Sequence, residues 1–249
     1  MLRKRLVTVL TINDGVLFRS KTFEPDYRYT LNFVDAWSVD EIVLLDISRG
    51  EAADRRPFLE TVERFASRCF APPPAGGGVR SVADFQRLLN AGADKVIVNT
   101  TAVEQPELVT RAARTLGAQC VVVSIDARRC PDGGYEVCTR HGTKPTGLDP
   151  AAWARRAQQL GAGEILITSI DLDGSLEGYD HKLNRLVVDA VDVPVLVCGG
   201  AGKWQDFVDA FVFTGASAVC TTNIYHFTES SIQSAKRYLR EAGIAVREA

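Results

Sequence analysis

Polar residues gather directly behind short apolar runs in this chain, and their types are those of acid–base and phosphate chemistry. Asp126 closes the run Val121–Ile125, and Asp171 and Asp173 follow Ile165–Thr168. Carboxylates in such places move protons when burial tunes their pKa. An aspartate there can equally cap the next helix. That reading has equal weight for Asp171 and less for Asp126, which a long loop follows. Asn99, Thr100 and Thr101 follow Val96–Val98, and Thr222 and Asn223 follow Ala218–Cys220. Two glycine-rich turns, Ala75-Gly-Gly-Gly-Val-Arg80 and Cys198-Gly-Gly-Ala-Gly-Lys203, complete the set. A glycine turn from strand to helix leaves backbone N–H groups free at a helix N-terminus, where an anion can bind. One cradle would be Gly78 with Asn99 and Thr100; the other would be Gly174, Gly200, Thr222 and Asn223. A substrate spanning the two carries a phosphate at each end. Glycines that only shape tight turns would give the same pattern.

The elements that must hold these residues recur with an even beat. Strand candidates are Leu6–Leu10, Ile42–Leu45, Pro73–Ala75, Val96–Val98, Val121–Ile125, Ile165–Thr168, Val195–Val197 and Ala218–Cys220. The third is poor, because Pro72, Pro73 and Pro74 weaken any ladder. Amphipathic helices are expected over Phe58–Phe70, Val82–Ala91, Pro106–Leu116, Ala151–Leu160, Lys182–Val191, Gln205–Thr214 and Ser231–Ala242. Eight strands alternating with helices over 249 residues is the count of a single (β/α)₈ TIM barrel, an α/β fold. An open doubly wound sheet is the competing arrangement. A shift of 123 residues lays Gly76-Gly77 on Gly199-Gly200, Gly92-Ala93 on Gly215-Ala216 and Glu41-Ile-Val-Leu44 on Glu164-Ile-Leu-Ile167. The chain therefore reads as two related (β/α)₄ half-barrels, roughly 1–118 and 119–249, in one domain. Two excursions, Asn13–Tyr29 and Ala127–Lys144, follow the first and fifth strands. Both lie on the C-terminal face, where active-site loops belong. The second holds the turn Asp132-Gly133-Gly134 and the strand-like Tyr135–Thr139.

Composition narrows the function classes. Lys plus Arg number 29 against 31 for Asp plus Glu, a balance that does not support nucleic-acid or membrane-surface binding. The basic start Met1–Arg5 precedes only a short apolar run, so a signal peptide is not expected, nor a membrane span. The cysteines Cys69, Cys120, Cys130, Cys138, Cys198 and Cys220 show no C-x-x-C pairing and read as reduced thiols of a cytoplasmic protein. Three histidines without ligand spacing argue against a metal site, and no cofactor is implied.

Arg5, Glu41, Lys95 and Glu164 each open a strand. That places two cations and two anions at the bottom of the barrel, near its axis. A salt-bridge plug is one reading and a gate on a passage through the barrel is the other.

These residues resemble the cyclase subunit family of imidazole glycerol phosphate synthase (HisF). The resemblance spans nearly the whole chain. It rests on Gly76-Gly-Gly-Val-Arg-Ser81, Asn90-Ala-Gly-Ala-Asp-Lys95, Cys120–Arg128, Gly142-Thr-Lys-Pro-Thr-Gly147, Gly161–Gly174, Gly178-Tyr-Asp180 and Gly199-Gly-Ala-Gly-Lys203. It implies a barrel that takes ammonia from a glutaminase partner (HisH) on its bottom face. A phosphoribulosyl bisphosphate substrate at the top is then converted to imidazole glycerol phosphate and an aminoimidazole carboxamide ribotide. Asp126 matches the family's general acid/base and Asp173 a residue of the second phosphate site. Gly78, Asn99 and Thr100 match the first phosphate site, and Gly174, Gly200, Thr222 and Asn223 the second. Asp46 and Thr168 complete the substrate site. Arg5, Glu41, Lys95 and Glu164 match the ammonia gate, and Asp94 and Gln119 the glutaminase-facing side.

The top face departs from the pattern. Thr11 stands where the family has a catalytic aspartate, and a hydroxyl is no carboxylate base near neutral pH. Arg19 replaces a lysine of the first loop, and the loop and first helix, Lys21–Tyr29, are unlike the family's. The expectation is a diverged HisF-like barrel that relays ammonia to a phosphorylated or sugar substrate. A paralogue converting a sugar's acetamido group to acetamidino, beside a sugar amidotransferase, fits position 11 best. A true synthase with Asp46 or Asp14 as substitute carboxylate is the alternative, and a non-catalytic scaffold for the glutaminase a further one.

Overall fold

The computed structural model describes residues 3–21, 24–28, 40–49, 55–69, 71–221 and 232–247, with the backbone alone at 19–20 and 24–28. Eight parallel strands close a ring. They are β1 (Arg5–Asn13), β4 (Glu41–Asp46), β5 (Ala75–Gly76), β6 (Val96–Val98), β7 (Val121–Arg129), β10 (Glu164–Ser169), β11 (Val195–Cys198) and β12 (Ala218–Thr221). Consecutive members pair in that order, β7 pairs with β10, and β12 returns to β1 with Arg5 opposite Ala218 and Thr8 opposite Thr221. The ring is a (β/α)₈ barrel, not an open sheet.

Side-chain alternation along β1 shows why the strands are apolar throughout. Leu6, Leu10 and Ile12 turn outward into a core with Phe58, Val62, Phe85, Leu108, Trp153, Leu183 and Phe207. Val7 and Val9 turn inward and meet Val43, Ile97, Val122, Leu166, Leu196 and Cys220. A parallel strand covered on both faces needs no polar stripe. The outer layer is built by α1 (Arg56–Ala66), α2 (Val82–Asn90), α3 (Thr100–Glu104), α4 (Glu107–Leu116), α5 (Pro150–Leu160), α6 (His181–Val188), α7 (Trp204–Thr214) and α8 (Ile232–Glu241).

Three expectations are corrected. The third strand is Ala75–Gly76, not Pro73–Ala75, because the prolines have no N–H to give a ladder. Pro74 still accepts from the Leu44 N–H at 2.9 Å through its carbonyl. The first excursion is an antiparallel hairpin of β2 (Val16–Lys21) and β3 (Glu24–Arg28), so 24–28 is strand where a first helix was expected. Asp14-Gly15, with φ 48° and 75°, makes the two-residue turn between β1 and β2. Asp-Gly between β-formers is the signal that reveals such a hairpin. The helix expected over Phe58–Phe70 runs Arg56–Ala66 instead, and the Ser67 N–H closes its last turn. The second excursion carries β8 (Tyr135–Thr139) and β9 (Lys144–Pro145), with β8 antiparallel to β7.

Candidate active site

Period-two alternation puts Asp126 on the inner face of β7, above Ser124 and Val122, at the C-terminal mouth. Its carboxylate accepts from Asn99 Nδ2 at 2.7 Å and from Ser124. Burial, opposed by the Asn99 hydrogen bond and reinforced by the nearby negative charge of Asp173, pushes the Asp126 carboxyl up to about 7. A carboxyl poised there is half protonated near neutral pH, which suits it to give and take a proton. Asn99 Oδ1 is buried with no hydrogen-bond partner among the described residues, an acceptor facing the same neighbourhood. Thr168 and Cys198 lie side by side in the register of β10 and β11, and their side chains hydrogen-bond. Burial and the Asp173 charge hold the Cys198 thiol up at about 12, so it is no nucleophile.

The residues expected to form the first cradle lie where β6 meets α3. The Thr101 hydroxyl donates to the Val79 carbonyl at 2.7 Å, binding α3 to the glycine turn that holds Gly78. The Arg140 N–H, beyond the end of β8, donates to Thr100 Oγ1 at 3.0 Å, so the fifth-strand hairpin leans on the turn after the neighbouring β6. Among the residues expected to form the second cradle, Gly200 has φ 105°, and its carbonyl accepts from the Gly178 N–H at 2.8 Å. A β-carbon at Gly200 would drive into the Gly178 carbonyl. Asp180 holds this loop to the hairpin. It accepts from Arg129 Nη2 at 2.9 Å, Tyr135 OH at 2.8 Å and the Leu183 N–H at 3.0 Å. Asp171 accepts from the Arg129 N–H at 2.8 Å, so it braces the same junction instead of capping a helix.

In both glycine turns, amides just before the helix are taken by an aspartate of its first turn. Asp206 accepts from the Gly202 and Lys203 N–H groups at 2.8 and 3.0 Å, and Asp84 accepts from the Arg80 N–H at 2.9 Å.

Thr11 is on the inner register of β1, with Phe18 opposite, and its hydroxyl donates to the Phe18 carbonyl. Asp46 shares the outward register of Ile42 and Leu44, and its carboxylate is bound to Arg55 and to the Ser48 N–H. Asp14 gives its N–H to Ser48 Oγ at 2.7 Å. Thr222 and Asn223 lie outside the described residues, as does the Arg19 side chain.

At the opposite end Arg5, Glu41, Lys95 and Glu164 form a closed ring. Arg5 donates to Glu41 at 2.6 Å and to Glu164, while Lys95 donates to Glu41 at 2.9 Å and to Glu164 at 3.0 Å. Each carboxylate bridges both cations. Burial alone would lower the Lys95 pKa, but Glu41 and Glu164 outweigh it and hold it above the ordinary lysine value. Asp94, beside Lys95, is exposed on this face. Gln119, in the turn that leads into β7 at the same end, packs its amide against Gly117.

Residues 7–231 match the family model described as "Histidine biosynthesis protein". The imidazole glycerol phosphate synthase subunit HisF of Dehalococcoides mccartyi is 42% identical over 259 aligned positions, covering 99% of each chain. The chain belongs to the HisF family. Within that family frame, Arg55, Ser124, Tyr135 and Asp180 are mouth residues that sequence reasoning does not single out. Ser124, Tyr135 and Asp180 fall inside motifs or strand-like runs, but Arg55 sits in a charged run with no periodicity to mark it. Among the described residues no helix is long and apolar enough to cross a membrane.

Proposed function

We propose that this barrel is the ammonia-consuming cyclase half of an imidazole glycerol phosphate synthase. In this reading a HisH-like glutaminase docks on the bottom face near Asp94 and Gln119 and delivers ammonia at the Arg5–Glu41–Lys95–Glu164 ring. The inner wall above the ring is mostly apolar, from Val7, Val43, Val122 and Leu166, with Ser124 level with Leu166. Neutral ammonia crosses such a wall, whereas ammonium would lose its hydration there. At the mouth the two cradles, one in each proposed half-barrel, hold a phosphoribulosyl bisphosphate by its ends. Asp126 then moves protons for ring closure. The observation that carries the proposal is the Asp126 carboxyl at about 7, gripped by Asn99 of the first cradle. Purified protein given ammonium salt and the phosphoribulosyl bisphosphate should release imidazole glycerol phosphate. Turnover no faster than the protein-free control would sink the proposal.

One observation favours a second reading. The Thr11 hydroxyl is spent on the Phe18 carbonyl, and Asp46 is spent on Arg55, so neither supplies a second carboxylate base. A barrel that passes ammonia to a sugar amidotransferase, for acetamidino formation, needs no such base. Ammonia-dependent conversion of an acetamido sugar in the three-protein mixture, with none of the bisphosphate consumed, would establish it.

A further inference from the structure

Asp46 and Arg55 lie on the rim of the mouth, and their pairing has a direction. The Asp46 side chain is 2% exposed and binds Arg55 through Nη1. Asp46 is itself fixed by the Ser48 N–H at 3.0 Å. Arg55 comes just before α1 and reaches the neighbouring glycine turn. A β-carbon built on Gly78 would lie 2.5 Å from the Arg55 Cζ and 3.0 Å from its Nε. The guanidinium thus presses on a residue of the turn that has no side chain, and Gly78, at φ 61°, is a position strained for any other residue. Arg55 is a cation set against Gly78; Asn99 and Thr100 are neutral, and Asp126 and Asp173 add negative charge to the mouth. A phosphate placed there by neutral donors alone would face that negative field.

We infer that Arg55 is a phosphate-binding residue of the first cradle, with Asp46 as the residue that orients it. One edge of the planar fork is taken by Asp46, and the remaining N–H groups stand beside Gly78, where a phosphate dianion is held by two parallel hydrogen bonds. The inference rests on the proposed reading for the identity of the substrate, but not for the binding of phosphate. It selects a doubly ionised phosphate ester at this end of the substrate over a neutral sugar.

The test uses the full chain labelled with ¹⁵N and titrated with inorganic phosphate, followed at the Gly78 and Gly200 amides. Arg55→Gln should weaken the response at Gly78 by roughly 10- to 100-fold, the range of a charge-assisted hydrogen bond, and leave Gly200 unchanged. Because that variant strands the buried Asp46 carboxylate, Asp46→Asn/Arg55→Gln provides a version with the charge removed, and it should show the same selective loss. An unchanged Gly78 response in either folded variant overturns the assignment, as does a wild-type chain with no response at Gly78. In turnover, Arg55→Gln should raise KM for the bisphosphate by a similar factor with kcat within about threefold, whereas a merely structural arginine would lower kcat or stability without moving KM. If wild-type protein fails to consume the bisphosphate while the Gly78 response still depends on Arg55, the proposed reaction falls and Arg55 stands. If turnover is normal and KM does not move in Arg55→Gln, the reaction stands and the role of Arg55 falls.

Discussion

Asn99 Nδ2 donates to Asp126 Oδ2 across 2.7 Å, so a residue proposed for the first phosphate cradle also sets the acidity of the mouth carboxyl. That hydrogen bond favours the charged form and opposes the desolvation that raises Asp126. Asn99→Leu should therefore raise the Asp126 pKa further. The limb of the pH–kcat/KM profile that reports Asp126 should move alkaline by roughly one unit. A limb that stays in place would separate Asp126 from the rate.

Asp126 also links stability to pH, and the sign is opposite to that of a salt-bridged carboxylate. Its folded pKa of about 7 lies above its ordinary 3.8, so the folded chain holds the proton more tightly than the unfolded one. Stability from this group is complete below about 4 and falls as pH rises towards about 7 and beyond. Asp126→Asn removes the charged form. It should raise the thermal midpoint at about pH 8 and make no difference near about pH 4. Thermal unfolding at the two pH values checks it, and a variant equally shifted at both would show that burial is not the cause.

The ionic ring makes a paired prediction. Lys95→Met leaves Glu41 and Glu164, 8% and 7% exposed at their side chains, sharing Arg5 alone. Breaking a buried pair on one side costs about 3–5 kcal/mol, while removing both partners costs less. Lys95→Met should lower stability by about that amount, and Glu41→Gln/Lys95→Met should recover part of it. With glutamine as the nitrogen source and the glutaminase added, Lys95→Met should hydrolyse more glutamine per product formed. Unchanged coupling would return the four charges to a structural role.

Position 11 separates donor chemistry from acceptor chemistry. The Thr11 hydroxyl donates to the Phe18 carbonyl. Serine keeps that bond; valine loses it at a cost of about 1 kcal/mol. Aspartate would set two acceptors beside a carbonyl, so Thr11→Asp should loosen the β1–β2 pairing and lower the thermal midpoint, without by itself adding a base in working order. A large gain in bisphosphate turnover in Thr11→Asp would show that the missing carboxylate alone limits the reaction.

Much of the fold is legible because it is written in local periodicity. Each apolar run named in the chain lies in or beside a barrel strand, and Asp132-Gly133-Gly134 marks a hairpin that is present. The first excursion is harder to read although Asp14-Gly15 carries the same kind of signal, because its flanking residues alternate poorly. The mouth is legible as a set of positions, since residues just past barrel strands face the C-terminal rim. It is not legible as a set of bonds. By position Asp46 belongs with the substrate residues, yet its carboxylate is committed to Arg55, nine residues on. The glycine turns do not reveal that Asp84 and Asp206 reach back to bind amides ahead of their own helices.

The alternation of apolar runs with helices and the resemblance to the family are legible in the amino-acid sequence, because both are patterns of residues close together in the chain. Closure, protonation and pairing are not. Arg5 meets Glu41 across 36 positions and Glu164 across 159, and the ring exists only when β12 returns to β1. Asp126 becomes an acid poised near neutral only when the barrel removes its water and sets Asn99 and Asp173 beside it. Arg55 reaches the Gly78 turn only when β4 and β5 lie side by side. Electrostatic energy depends on distance and solvent, and both are properties of the folded chain.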